Sequence, residues 1–160
     1  MATGYSQAVA IKAELIKAFT NEQHPGGKLS SVLAIGPTSY PESGVFPYVG
    51  VDIVKMKEAF IANHKIRLTI DFAISVSVRS TTLLQDAYKV RDALLDDGAG
   101  NGLQPILHNN MYLLLNGLIE KSEIGDIILL SNIDGDKGAA QTQFFADAVI
   151  MYSVNQTITV

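Results

Sequence analysis

The sequence predicts one α+β domain, in which two main amphipathic helices pack on a mostly antiparallel or mixed sheet with long strands. Apolar and polar residues alternate through seven consecutive pairs over 66–79, which is typical of a half-buried strand. Apolar residues recur at helical spacing near the N-terminus and again after residue 82. The 160 residues suffice for one core, because a domain takes roughly 100–200 residues. The whole chain, 1–160, is therefore interpreted as a single domain.

The first third of the chain predicts one helix and two strands. Apolar residues three and four apart predict an amphipathic helix over 6–19, and the Pro-Gly-Gly sequence at 25–27 ends it. Short apolar runs predict strands over 29–35 and 48–54. A turn-rich stretch, 38–47, is expected to join these two strands as a long loop.

The alternating segment 66–79 is the strongest structural signal in the sequence. Its apolar set includes Ile70 and Phe72, which we expect to point into the core. At about 3.3 Å per residue the strand extends roughly 46 Å, more than a domain with a radius of gyration of about 15 Å comfortably contains. Part of it should project beyond the globule or lie in a sheet between subunits.

A second helix is predicted over 82–95, with an N-cap supplied by Ser80, Thr81 or Thr82 and with Asp86 near its positive end. The Gly-rich loop 96–102 should follow it. Between 102 and 132, short apolar runs at 111–115 and 127–130 are interpreted as strands. These are the least regular patterns in the chain.

The C-terminal part of the sequence predicts a polar loop and a second long strand. The loop begins at Ile133 and continues to about residue 140, and we expect it and the loop 96–102 to become ordered only against partners. Residues 143–154 are rich in aromatic and β-branched residues and predict a strand with one continuously apolar face. Residues 157–160 are interpreted as an additional edge strand.

Composition limits the classes of function. Twelve Lys and Arg against sixteen Asp and Glu give a net charge of −4, and no run of basic residues indicates a nucleic-acid-binding patch. Charged residues make up 18% of the chain, below the usual ~25%, which indicates an apolar surface that a partner subunit covers. Cysteine is absent, which excludes thiolate chemistry and disulfides. No membrane span or signal peptide is recognised, so we expect a soluble protein made in the cytoplasm.

The motifs of common enzymes and cofactor sites are incomplete in this sequence. The segment GGKLS at 26–30 lacks the spacing of a phosphate loop, and the glycines at 98, 100 and 102 follow the predicted helix instead of opening one. The polar residues at 132–136 lack the glycine and glutamate of a calcium loop. The three histidines are dispersed, and no G-x-S-x-G motif is present. The sequence therefore predicts no enzyme, no cofactor and no metal.

Charged and amide side chains on the long strand and in the two loops form the candidate interface. They are Arg67, Asp71, Arg79, Asp96, Asp97, Asn101, Asp134, Asp136 and Lys137. Arg67 and Asp71 lie about 13 Å apart on one strand face, so each needs a partner on another strand or subunit. A further carboxylate, Asp147, is interpreted as a paired or solvated residue at a sheet edge.

The order of elements resembles the tail terminator proteins of long-tailed bacteriophages. The segments that carry the resemblance are FPYVGV at 46–51 and RLTIDFAISVSVR at 67–79, which runs into LLQDAY at 83–88. The resemblance covers nearly the whole chain through its pattern of elements, and 103–130 departs from that pattern.

The resemblance implies a structural virion protein that assembles in the host cytoplasm and becomes part of the viral tail. Its subunits would form a ring, expected to be a hexamer, that caps the tail tube, ends tail polymerisation and provides the interface for head attachment. Implied partners are further copies of the chain, the tail tube protein and the head completion or connector protein, while DNA passes through the lumen without specific binding. Alternatives are a head-tail joining or tail-tube protein of the same class, a small cytoplasmic ligand-binding or regulatory α+β domain, and an enzyme whose site is assembled in space.

Overall fold

The computed structural model describes residues 3–109, 118–134 and 143–160, and for 132–134 it describes the backbone alone. Within these ranges the chain forms three helices and five strands. In chain order they are α1 (Gly4–Thr20), β1 (Ala34–Gly36), β2 (Tyr48–Ala62), β3 (Lys65–Ser80), α2 (Leu84–Leu95), α3 (Leu103–His108), β4 (Lys121–Asp134) and β5 (Gln143–Thr159).

The five strands form one mixed sheet in the order β1-β2-β3-β5-β4. Strand β1 runs parallel to β2, and the other three pairings are antiparallel. The predicted α+β class, with helices packed on a mixed sheet of long strands, is confirmed.

The core lies between the helices and one face of the sheet, which we call the helix face. Alternate residues of β3 and β5 point into it, as the two alternating patterns predicted. They are Ile66, Leu68, Ile70, Phe72, Ile74, Val76 and Val78 on β3, and Ala146, Ala148, Ile150, Tyr152 and Val154 on β5. Helix α1 contributes Ala8, Ile11 and Leu15 to the same core. A capping box between Thr3 and Ser6 begins α1, two residues before the predicted start.

The structure corrects the two strands predicted before residue 55. The first is reduced to β1, because Leu29 and Val32 are buried in turns and no strand pairs with them. The second continues eight residues past the predicted end, to Ala62. Antiparallel pairing with β3 stabilises this extension of β2. Met56 lies opposite Ile70, although the neighbours of Met56 on β2 are charged.

The predicted N-cap of the second helix is wrong. Helix α2 begins at Leu84, and its N-cap is Leu83, which offers no side-chain hydrogen bond. The hydroxyl of Thr82 instead donates to the carboxylate of Asp86, at 3.0 Å. The Gly-rich loop also differs from the prediction, because it precedes the short helix α3, whose N-cap is Gly102 at a φ of 109°. That backbone conformation requires glycine.

Two further corrections concern the C-terminal half. Strand β4 includes 127–130 as predicted, but it also contains residues 133 and 134, where a loop was expected. Residues 157–159 continue β5 and pair with β3, so they form no separate edge strand. The predicted strand 111–115 and loop residues Asp136 and Lys137 lie outside the described residues.

Candidate interaction surface

We call the face of the sheet opposite the helices the open face, and the residues that the structure describes cover it at one end only. There the loop 37–47 crosses it, and the backbone oxygen of Thr38 lies above Gly50 and accepts a hydrogen bond from the Tyr48 hydroxyl at 2.7 Å. Ser75 and Ser77 are buried beneath this region. The remainder of the open face is partly or fully exposed.

Arg79 fastens that loop to the sheet. Its guanidinium lies 4.5 Å from the ring centre of Phe46 and 4.4 Å from that of Phe145, and it donates to the hydroxyl of Tyr40. The same group forms an ion pair with Asp147 at 2.8 Å. The structure thus gives Asp147 the paired role that was predicted, although β5 is an inner strand and the residue is at no sheet edge.

The end of the β2–β3 hairpin projects from the body of the protein. We call residues 55–67 the hairpin tip. Every residue from 57 to 65 is exposed, and Phe60 reaches 83%. The turn places His64 at a φ of 60°, a left-handed conformation. This projection agrees with the length predicted for the long strand.

The open face of the hairpin tip is basic. Lys55 and Lys57 on β2 share this face with Lys65 and Arg67 on β3, and Glu58 is turned to the helix face opposite Leu68. The tip therefore carries four basic residues and one acidic residue in a chain whose net charge is −4. The sequence did not locate this local basic patch, because β-pairing brings together residues that form no run in sequence.

An acidic hollow lies on the same face beside β4. A bulge between Ile124 and Ile127 leaves Gly125 and Asp126 outside the regular pairing with β5. The hollow has a volume of about 350 Å³, and the carboxylates of Asp71, Glu123 and Asp126 line it together with Met151 and Ser153. Sequence analysis selected Asp71 alone from this group, because the bulge that gathers the others leaves no pattern in the sequence.

Two long stretches of strand edge are unpaired within the described part of the chain. Strand β1 pairs only with Tyr48–Gly50, so the outer edge of β2 has no strand partner over 54–62. Strand β4 is the last strand of the sheet on the other side. Its exposed apolar residues are Ile128 at 46%, Leu129 at 55% and Leu130 at 52%.

The structure separates the predicted interface residues into four groups. Arg79 pairs with Asp147 and packs on the ring of Phe46. Arg67 and Asp71 lie on the open face, at the tip and at the hollow. Asp96, Asp97 and Asn101 lie in the exposed loop between α2 and α3. Asp134 lies in β4, and its side chain, like Asp136 and Lys137, is outside the described residues.

The loop between α2 and α3 is organised by Asp97. Its carboxylate accepts hydrogen bonds from the Asn101 side chain at 2.8 Å and from the backbone N–H groups of Ala99 and Asn101 at 2.7 and 3.0 Å. The Asn101 side chain contributes most to lowering the pKa of Asp97, and the two backbone bonds lower it further. These bonds stay within the loop, so they explain its shape and assign it no partner.

Neither a metal site nor a membrane helix is seen among the described residues. No group of three or more His, Asp or Glu side chains there is placed to hold a metal ion. No helix in the described ranges is long and apolar enough to span a membrane. Comparison with models of protein families finds no match, and comparison with curated protein sequences also finds none.

Proposed function

We propose that this chain is a structural virion protein that forms a ring on the end of a bacteriophage tail tube. The ring ends tail polymerisation and provides the surface to which the head attaches. Its partners are further copies of the chain, the tail tube protein and the head completion or connector protein. The subunit carries out no chemistry, binds no cofactor, and leaves DNA to pass through the lumen.

The observation that carries this proposal is the pair of strand edges, on opposite sides of one sheet, that have no strand partner among the described residues. Unpaired strand edges attract further strands, and monomeric proteins protect them with charge, proline or a covering element. Here each edge also bears exposed apolar side chains, Phe60 and Ile61 on one side and Ile128 to Leu130 on the other. Such surfaces favour association between subunits.

The two edges differ in sequence, and that difference favours a ring. A contact between unlike patches is heterologous, so two joined subunits still have one free patch of each kind between them. Further subunits add in the same way, and a rotation between neighbours that closes the assembly gives a ring with no free patch. A closed ring is the form that a cap on a tube requires. It is also the assembly that the resemblance of the order of elements to tail terminators implies.

The oligomeric state of the purified chain tests the proposal, together with imaging of added tail tubes. We expect a defined closed oligomer, by light scattering on a sizing column, either alone or on tubes. Electron micrographs should show the protein at tube ends only. A monomer that binds no tube, or binding along the whole length of tubes, would contradict the proposal.

A further inference from the structure

Within one subunit the basic hairpin tip meets the acidic hollow only where Lys55 lies opposite Asp71, and no other basic residue of the tip lies opposite a carboxylate of the hollow. Lys55, Asp71, Ser153 and Glu123 lie in one row across four strands, so Lys55 and Glu123 are separated by three strand spacings, about 14 Å. No ion pair between the tip and β4 is present among the described residues. The matching charges are therefore available to another molecule.

The direction of the strands fixes how a second copy can continue the sheet. Strands β2 and β5 run the same way, since each is antiparallel to β3, and β4 is antiparallel to β5. A second copy that has the same orientation and continues the sheet beyond β4 places its own β2 antiparallel to β4 of the first copy. Antiparallel pairing satisfies the unpaired backbone groups of both edges.

Side-chain charge selects the register of that pairing. The lysines at 55 and 57 are two residues apart on the open face of β2. Glu123 and Asp126 both line the hollow on the open face of β4, and Asp126 lies within the bulge. With Lys57 opposite Glu123, Lys55 falls beside Asp126. The same register sets Met56 opposite Ile124 on the helix face, where both side chains are partly buried.

We propose that the hairpin tip of one subunit adds to the edge of β4 in a second copy of this chain, with Lys57 against Glu123 and Lys55 against Asp126. This inference rests on the proposed ring and names its contact. Backbone hydrogen bonds and the apolar contact between Met56 and Ile124 supply most of the affinity, because exposed ion pairs contribute little. The charges set the register and exclude other pairings.

Nucleic acid is the competing occupant of the basic face. An unpaired edge and an exposed Phe60 offer nothing to a phosphate backbone, whereas both suit a protein strand. Every copy of the chain also carries the acidic hollow that complements this basic face. A second copy of the chain therefore fits more of the observed features than a nucleic acid does.

Two charge-reversed variants test the contact. Variant A carries Lys55→Glu and Lys57→Glu, and variant B carries Glu123→Lys and Asp126→Lys. Each variant alone places like charges opposite one another across the contact. Its self-association, measured by sedimentation velocity, should therefore need a protein concentration at least about tenfold higher than that of the wild type. An equal mixture should recover assembly to within about threefold of the wild type, because every contact between A and B again pairs opposite charges.

A matched control separates this contact from general repulsion. Lys17 and Lys89 are exposed on α1 and α2, and Lys17→Glu with Lys89→Glu changes the net charge as much as variant A does. The control should assemble like the wild type, and circular dichroism should show all variants folded.

Two results would overturn the contact without touching the proposed function, which is measured separately by capping of tubes. They are unchanged assembly of A and B, and a mixture that assembles no better than either variant. Loss of duplex DNA binding in variant A with normal assembly would assign the basic face to nucleic acid and overturn it as well.

Discussion

Arg79 shows how one side chain holds a long loop against the sheet. Its ion pair with Asp147 is mostly shielded from water, and its guanidinium stacks on rings from the loop and from β5. Such a guanidinium stabilises the fold through both its charge and its packing. The loop over 37–47 has few other side-chain bonds to the sheet, apart from those between Thr38 and Tyr48.

Replacing Arg79 should therefore destabilise the subunit. We expect Arg79→Ala to cost about 2–4 kcal/mol, because it leaves Asp147 partly buried without its partner and removes the stacking. Arg79→Lys keeps the charge but not the planar contact, and it should cost about 1 kcal/mol. Urea unfolding measures both. A loss below about 0.5 kcal/mol for the alanine variant would contradict this role.

Phe72 and Phe60 offer a direct comparison between a buried and an exposed ring on adjacent strands. Phe72 is fully buried and Phe60 is 83% exposed. Phe72→Ala should cost about 3–5 kcal/mol in denaturant melts of the monomer. Phe60→Ala should change monomer stability by less than about 0.5 kcal/mol. Equal costs for the two variants would show that the assignment of faces is wrong.

The lowered pKa of Asp97 gives the loop over 96–102 a predictable response to acid. A carboxyl whose pKa is lowered by folding stabilises the loop above its unfolded pKa, and this effect is lost as pH falls through the lowered, folded value. The amide signals of Ala99 and Asn101 should follow this titration in NMR spectra. Asp97→Asn should abolish the response, and an unchanged response would contradict the assignment.

At the scale of elements, the sequence predicted the helices and strands whose hydrophobic pattern can be recognised within a single segment of the chain. The alternation over 66–79 identified β3, and helical spacing identified α1 and α2. The far half of β2 escaped prediction because its side chains from 57 to 62 are exposed and carry no alternation, so only its pairing with β3 defines it. Helix α3 has six residues, too few to show a helical period.

The same distinction explains the candidate site. Asp71 and Arg67 were found because they lie on the strand that the sequence predicts best. The two lysines on β2 and the carboxylates at 123 and 126 join them only through strand pairing and a bulge, which depend on residues far away in sequence.

The start of α2 lacks a capping side chain, and this can be corrected. Leu83 occupies the N-cap, is 59% exposed and has extended backbone. Leu83→Ser should stabilise the protein by about 1 kcal/mol, because the hydroxyl accepts a bond from an unpaired backbone N–H group of the first turn. Leu83→Ala is the control and should give no gain in urea unfolding. Equal effects of the two substitutions would contradict this explanation.

At the scale of the whole molecule, assembly should change the exposed loop between α2 and α3. We predict faster amide exchange over 96–102 in the free subunit than in the assembled ring, because polar loops of this kind order against partners. Hydrogen exchange followed by mass spectrometry measures the difference. Equal protection in both states would mean that the loop faces solvent in the ring.

DNA affinity is a second property of the assembly. In the hexamer that the resemblance implies, six subunits of charge −4 would give a ring of −24, and in the proposed contact neighbours cover the basic hairpin tips. We therefore expect only weak binding of duplex DNA in a fluorescence anisotropy titration at about 150 mM salt. Sub-micromolar binding with steep salt dependence would show that the tips remain free to hold phosphates.

The length of tail tubes tests the central claim most directly. Tails are assembled with and without this chain and their lengths are measured in negatively stained electron micrographs. With the chain present, the account predicts a narrow length distribution and a cap at one end of each tube. Without it, tubes should grow to uncontrolled lengths, and identical length distributions in the two preparations would contradict the proposal that the protein ends tail polymerisation.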